Sequence, residues 1–149
     1  MPDRHQADWT LSPGWGWTAP APLFLAAILS WAGTPAISSL AITGAMLWGA
    51  ATLAYLAGVR RGLAHGGPGD ASFAELLITV VVFALAIGSM LTVAPVRSLA
   101  LLILGFAALA LLARRDRRRA GTTPAAALVR LGQMGLAAAS LLAIAARLT

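Results

Sequence analysis

Residues 18–59, TAPAPLFLAAILSWAGTPAISSLAITGAMLWGAATLAYLAGV, decide the fold, because this run of 42 residues carries no charge. A helix rises 1.5 Å per residue, so about 20 apolar residues cover the ~30 Å of a bilayer's hydrocarbon. The run is about twice that length, which predicts two membrane helices joined by a tight turn rather than one very long span. Gly33, Thr34 and Pro35 supply the turn. Proline disfavours helix in the residue before it, and glycine tolerates the reversal. The first helix is then short, 19–33, and opens with Pro20 and Pro22, which suit a helix start. The second runs 36–60 and ends at Arg60 and Arg61.

Outward from this run the same reading repeats. A Gly-rich loop holding His65 and Asp70 follows, and Ser72 with Glu75 three residues later forms a capping box ahead of a third apolar run, 73–94. Pro95 stops that helix, a very short hairpin follows, and a fourth helix spans 97–113 between Arg97 and Arg114. An Arg-rich loop leads to Thr123-Pro124, an N-cap and first-turn pair, and to a fifth helix over 125–146. The expectation is an all-α polytopic membrane bundle of about five transmembrane helices. It forms one unit over 19–149, behind a cytoplasmic or interfacial segment, 1–18.

The whole composition agrees. Of 149 residues 59% are hydrophobic and 11% charged, with a mean hydropathy of +0.81. Soluble domains carry about 25% charged residues, and a globule this size would still expose about a third of its unfolded surface. Cysteine is absent, which removes disulfides, thiolate metal sites and Cys nucleophiles. The first apolar run begins behind Asp3, Asp8 and three tryptophans, unlike a secretory leader with its basic start, so residues 1–17 are expected to be retained. Arginine without lysine, together with abundant alanine, suggests a GC-rich bacterial genome.

Charge sets the orientation. The basic residues are eleven arginines against five acids, net +6, and Arg114, Arg115, Arg117, Arg118 and Arg119 cluster beside an apolar run. No recognition-helix or aromatic pattern accompanies them, so anionic headgroups rather than nucleic acid are the expected partner. Five spans put the N-terminus and the loops at 60–72 and 114–124 on one face. By the positive-inside rule that face is cytoplasmic in a bacterial inner membrane, and the C-terminus is periplasmic.

Candidate sites are few. Glu75 is the one acid inside a predicted span. It reads first as the capping-box residue, next as an ion pair with Arg60 or Arg61, and otherwise as a proton relay. Arg130 can snorkel to the interface or meet a phosphate or carboxylate. Small residues recur at fourth positions, Ala50, Ala54, Gly58 and Gly62 on the second helix and Gly135, Ala139 and Ala143 on the fifth, which allows close helix packing. The five tryptophans, Trp15 and Trp17 above all, suit an interfacial belt. A polar pathway would draw on Thr43, Thr52, Thr79, Ser89, Gln133 and Ser140. The two histidines, His5 and His65, lack metal-ligand spacing, and no nucleotide, hydrolase or metalloprotease motif occurs. No catalytic residue, metal or cofactor is expected.

Two stretches carry a resemblance. GAATLAYLAGVRRGLA (49–64) resembles the second-helix signature of a bacterial domain-of-unknown-function family, number 3429, itself similar to a mitochondrial transmembrane protein. Tyr55, Ala57, Gly58, Val59, Arg60 and Gly62 match, and Arg61 stands where tryptophan is usual. Leu104, Gly105 and Phe106 through Arg114, Arg115, Asp116 and Arg117 to Gly121 and Pro124 resemble that family's fourth helix and Asp-Arg-Arg loop. Alanines follow where it has an aromatic pair. The resemblance covers residues 19–147 and implies about five helices in an inner membrane and no activity. The expected role is a non-catalytic accessory or assembly subunit of a larger respiratory or photosynthetic membrane complex, packed against other membrane subunits. The alternative is a small transporter or a lipid- or quinone-binding protein.

Overall fold

A computed structural model describes residues 17–18, 20–65, 73–120 and 124–148, without the side chains of 60–65, 73–75, 113, 115–120, 124–128 and 130. The described chain is helical: α1 (Pro20–Ala32), α2 (Pro35–His65), α3 (Phe73–Leu91), α4 (Pro95–Ala120) and α5 (Pro124–Leu148). Four of the five helices begin on a proline, whose fixed φ and missing N–H cost nothing at the first helical position.

Each helix packs antiparallel on its neighbour in sequence, α5 closes the ring against α1, and α2 also packs on α4. That last contact divides the molecule. Helices α1, α2, α4 and α5 form a four-membered bundle, and α3 lies in the groove between α2 and α4. The core runs through Leu23, Leu53, Val82, Leu99, Leu102, Phe106, Leu141 and Ile144. The outer surface is apolar as well, with Leu40, Tyr55, Leu91, Leu104 and Leu111 all exposed.

Close approach of α2 and α4 rests on two reciprocal glycine–leucine pairs. Leu53 sits directly over Gly105, where a Cβ would overlap its side chain, and a Cβ on Gly49 would lie 3.1 Å from Leu102. Both leucines are fully buried. The turn between α1 and α2 is as tight as its sequence promises. A Cβ at Gly33 would stand 2.6 Å from the Leu29 carbonyl oxygen and 2.8 Å from Ile37, so only glycine fits. Thr34 caps α2, its hydroxyl accepting from the Ile37 N–H at 3.5 Å.

The helix ends differ from the sequence expectation in three places. Arg60 and Arg61 do not end α2, which continues to His65, so His65 is helical rather than in a loop. Pro95 is the first residue of α4, and α3 has already ended at Leu91. The basic cluster Arg114, Arg115, Arg117, Arg118 and Arg119 belongs to the last turns of α4 rather than to a loop. Arginine is a good helix former, and cations at a helix C-terminus are favoured by the macrodipole.

Among the described residues, three segments are long and apolar enough to cross a membrane: Pro35–Val59, Pro95–Leu112 and Leu131–Leu148. Pro20–Ala32 and Leu76–Leu91 are shorter apolar helices. At 13 residues, α1 reaches only ~20 Å.

Candidate functional site: two turns, a tryptophan and a cleft

The end of the bundle that carries the α1–α2 and α3–α4 turns is built from serines. In α1 the Ser30 hydroxyl donates to the Ala27 carbonyl at 2.7 Å, and the Ser38 hydroxyl, from the first turns of α2, donates to the Ser30 carbonyl at 3.0 Å. The second hairpin repeats this arrangement. Ser89 donates to the Ala86 carbonyl at 2.7 Å, and Ser98 of α4 donates to the Ser89 carbonyl at 2.7 Å. All four serines are buried. The Ser30 and Ser89 carbonyls lie in the last turns of α1 and α3, where no intrahelical N–H remains to satisfy them. Each following helix therefore caps the one before it. Thr92 adds a bond from its hydroxyl to the Gly88 carbonyl at 2.7 Å.

At the same end α5 is tied to α1. The Trp31 indole N–H donates to the Ala143 carbonyl at 3.1 Å, across the C-terminal turns of both helices. The Arg147 guanidinium, one turn further along α5, stands over the Trp31 ring at 6.0 Å from its centroid. That distance is at the outer limit of a cation–π contact. Beside Arg147 opens a cleft of about 490 Å³ between the start of α2, the α3–α4 turn and the end of α5. Ser39, Ile42, Thr43, Met46, Val93 and Arg147 are among the residues lining it.

The residues singled out in the sequence scatter over the molecule. Ala50 is buried and Ala54 packs half-buried against the core, whereas Gly58 is exposed with no heavy atom within 4 Å of a built Cβ. Gly135, Ala139 and Ala143 lie on the exposed face of α5. The side chains of Arg60, Arg61, Glu75, Arg115, Arg117, Arg118, Arg119 and Arg130 lie outside the described residues, as does any contact of Gly62. Their backbone positions put them all at the end opposite the serine turns, where Arg114 is exposed. The capping box of Ser72 with Glu75, and Trp9 and Trp15, also lie outside the described residues. Trp17, Trp31 and Trp48 are exposed.

Of the six residues proposed for a polar pathway, three donate their hydroxyls to carbonyls of their own helices. Thr43 bonds Ser39, Ser89 bonds Ala86 and Ser140 bonds Leu136. Thr52 and Thr79 are buried at the edge of the core, and Gln133 is half-buried. Among the described residues no group of three His, Asp or Glu side chains could hold a metal ion.

Sequence reasoning missed the serine caps, the Trp31 link and the Gly49 and Gly105 contacts. A signal for the first was present: Ala27-x-x-Ser30 followed by Pro35-x-x-Ser38 recurs as Ala86-x-x-Ser89 followed by Pro95-x-x-Ser98. Phe24 and Ile28 recur in step as Phe83 and Ile87. The fold and this site define an all-helical protein with three helices of membrane-crossing length. No protein family, curated protein or solved structure matches the chain.

Proposed function

We propose that this chain is a small, non-catalytic integral membrane protein that docks sideways on another membrane protein, as an accessory or assembly subunit of a larger inner-membrane complex. Membrane residence is supported by three span-length apolar helices among the described residues and by the many large hydrophobic side chains exposed on the outer surface. Such a surface is unsuited to water at this size. In the bilayer, the ends of α2 and α4 project together past the apolar segments. That arrangement carries Arg60, Arg61 and the five arginines of 114–119 toward anionic headgroups.

The observation that carries the docking role is the outward face of α5. Gly132, Gly135 and Ala139 are exposed at spacings of three and four residues, with Ala143, whose carbonyl accepts from Trp31, four further on; among the described residues no atom outside the local backbone lies within 4 Å of where a Cβ on either glycine would stand. Lipid tails already satisfy apolar side chains, so helices associate in membranes by close packing at small residues. The bundle uses its internal small residues, Gly49 and Gly105, on itself, and leaves this stripe for a second chain. The hydroxyls spent on their own helices argue against a transport pathway.

The test is extraction from native membranes in several mild detergents, followed by native mass analysis. The wild-type chain is expected with a stoichiometric companion. Gly135→Leu and Ala139→Leu should stay inserted, since leucine improves hydropathy, yet lose that companion. A wild-type protein that purifies alone in every mild detergent overturns the docking role.

A further inference from the structure

The cleft beside Arg147 has a mixed lining. The Arg147 guanidinium, Ser39 and Thr43 stand exposed at its mouth together with Pro35, Val93 and Pro95, while half-buried Ile42 and Met46 and buried Ser38 form its floor. Thr43 already donates its hydrogen to the Ser39 carbonyl, so its oxygen faces the cleft as an acceptor, or as a donor only if that bond opens. The cleft follows α2 from Pro35 to Met46. At 1.5 Å per residue this is ~16 Å, about the depth of one leaflet's hydrocarbon. Its volume, about 490 Å³, falls within the range of small-molecule sites.

Arg147 has an aromatic neighbour. Trp31, fixed by its bond to the Ala143 carbonyl, lies beneath the guanidinium. A guanidinium placed over a ring keeps its in-plane N–H fork, the geometry that matches a phosphate bidentately. Arg97 stands exposed at the same end, while Glu75 and Asp116 belong, by their backbone positions in α3 and α4, to the opposite end. An anionic headgroup at the cleft meets the Arg147 guanidinium, the one charged side chain among its lining residues.

We propose that this cleft binds one anionic phospholipid, its phosphate on Arg147 and one acyl chain laid along Ile42 and Met46. The site rests on membrane residence but not on the docking role. It is separate from the general attraction of headgroups to the arginines at the other end.

The experiment starts from membranes washed with alkaline carbonate. A chain absent from the washed pellet defeats membrane residence itself, before any lipid is tested. Purified, delipidated protein is then titrated with phosphatidylglycerol and with phosphatidylcholine of the same acyl chains, and bound lipid is counted by native mass spectrometry. One phosphatidylglycerol is expected to bind about tenfold more tightly than phosphatidylcholine. Arg147→Gln should lower that affinity about tenfold, as expected for loss of a charge-assisted fork. Arg97→Gln, which removes an equal charge at the same end but outside the cleft, should leave it close to wild type. Met46→Trp, checked for unchanged helicity, should fill the floor and weaken both lipids. Equal losses in Arg147→Gln and Arg97→Gln would reduce the effect to diffuse surface charge and overturn the site. Displacement of the lipid by inorganic phosphate alone would make it a small-anion site and also overturn the proposal, as would equal binding of the two lipids.

Discussion

Gly105 and Gly58 are both glycines on long apolar helices, and they face opposite worlds. A side chain at Gly105 meets the fully buried side chain of Leu53, whereas among the described residues one at Gly58 meets nothing outside its local backbone within 4 Å. Gly105→Leu should therefore destabilise the bundle by about 1–3 kcal/mol, the usual range for overpacking a filled core. Leu53→Ala in the same chain should recover part of the loss. Gly58→Leu should leave stability unchanged or raise it by up to ~1 kcal/mol, because glycine is a poor helix former. Thermal unfolding in one detergent, followed by circular dichroism, measures all three. An equal loss in both glycine variants would refute the α2–α4 contact. Spacing in the sequence could not make this distinction. A stripe of small residues states that close approach is possible, and the facing helix decides which glycine uses it. Gly49 and Gly105 were visible as letters, but Leu53 and Leu102, which fill them, are remote in the chain.

Among the elements, existence and order were legible and ends were not. Apolar length against bilayer thickness separates α1 from α2, and Gly33 and Pro35 mark the break, as the structure has them. Proline misled in one place: Pro95 reads equally as the end of one helix or the start of the next. The three-residue turn before it settles that it starts α4. Charge misled at the far end, because hydropathy falls at Arg60 and Arg114 while helix propensity does not. Serine marked the turns only through the recurrence of Ala-x-x-Ser and Pro-x-x-Ser at both hairpins, since one hydroxyl among apolar residues carries no periodic signal by itself. Its role appears only when Ser38 and Ser98 are seen to cap the carbonyls of Ser30 and Ser89. Ser98→Ala should leave the Ser89 carbonyl, within the last turn of α3, buried without its donor. The expected cost is about 1–3 kcal/mol. Ser38→Ala should cost a similar amount, as the two hairpins share the arrangement. By contrast, Ser39→Ala on the exposed face should change little. Should Ser98→Ala unfold at the wild-type temperature, the capping role is wrong.

At the scale of the whole molecule, the number of helices and the placement of charge act together. Helices α1 and α5 run in the same direction, since Trp31 and Ala143 meet near the C-terminal ends of both. An odd number of alternating helices puts the start of α1 and the end of α5 at opposite ends of the bundle. One end carries Arg60, Arg61, Arg114, Arg115, Arg117, Arg118 and Arg119, and the other carries Arg97 and Arg147. With Arg130 also at the first end, the positive-inside rule predicts that the excess of eight over two orients the proposed membrane protein with that end in the cytoplasm. Helix α1 decides the rest. It is too short at ~20 Å to cross unaided, yet it packs between α2 and α5 and is buried on that side at Leu23, Ala26 and Ala27. A short helix held by its neighbours can be accommodated by local thinning of the bilayer. The serine-turn end should then face the periplasm together with the C-terminus of α5. Alkaline phosphatase fused after Thr149 should be active, and a fluorescent protein there should be dark. A fusion within 66–72 should give the opposite pair of signals. Moving the charge tests the cause: replacing Arg114, Arg115, Arg117, Arg118 and Arg119 by glutamine should weaken the preference and yield mixed signals at both sites. If the wild-type C-terminal fusion fluoresces and lacks phosphatase activity, the molecule sits the other way round, and charge is not what orients it.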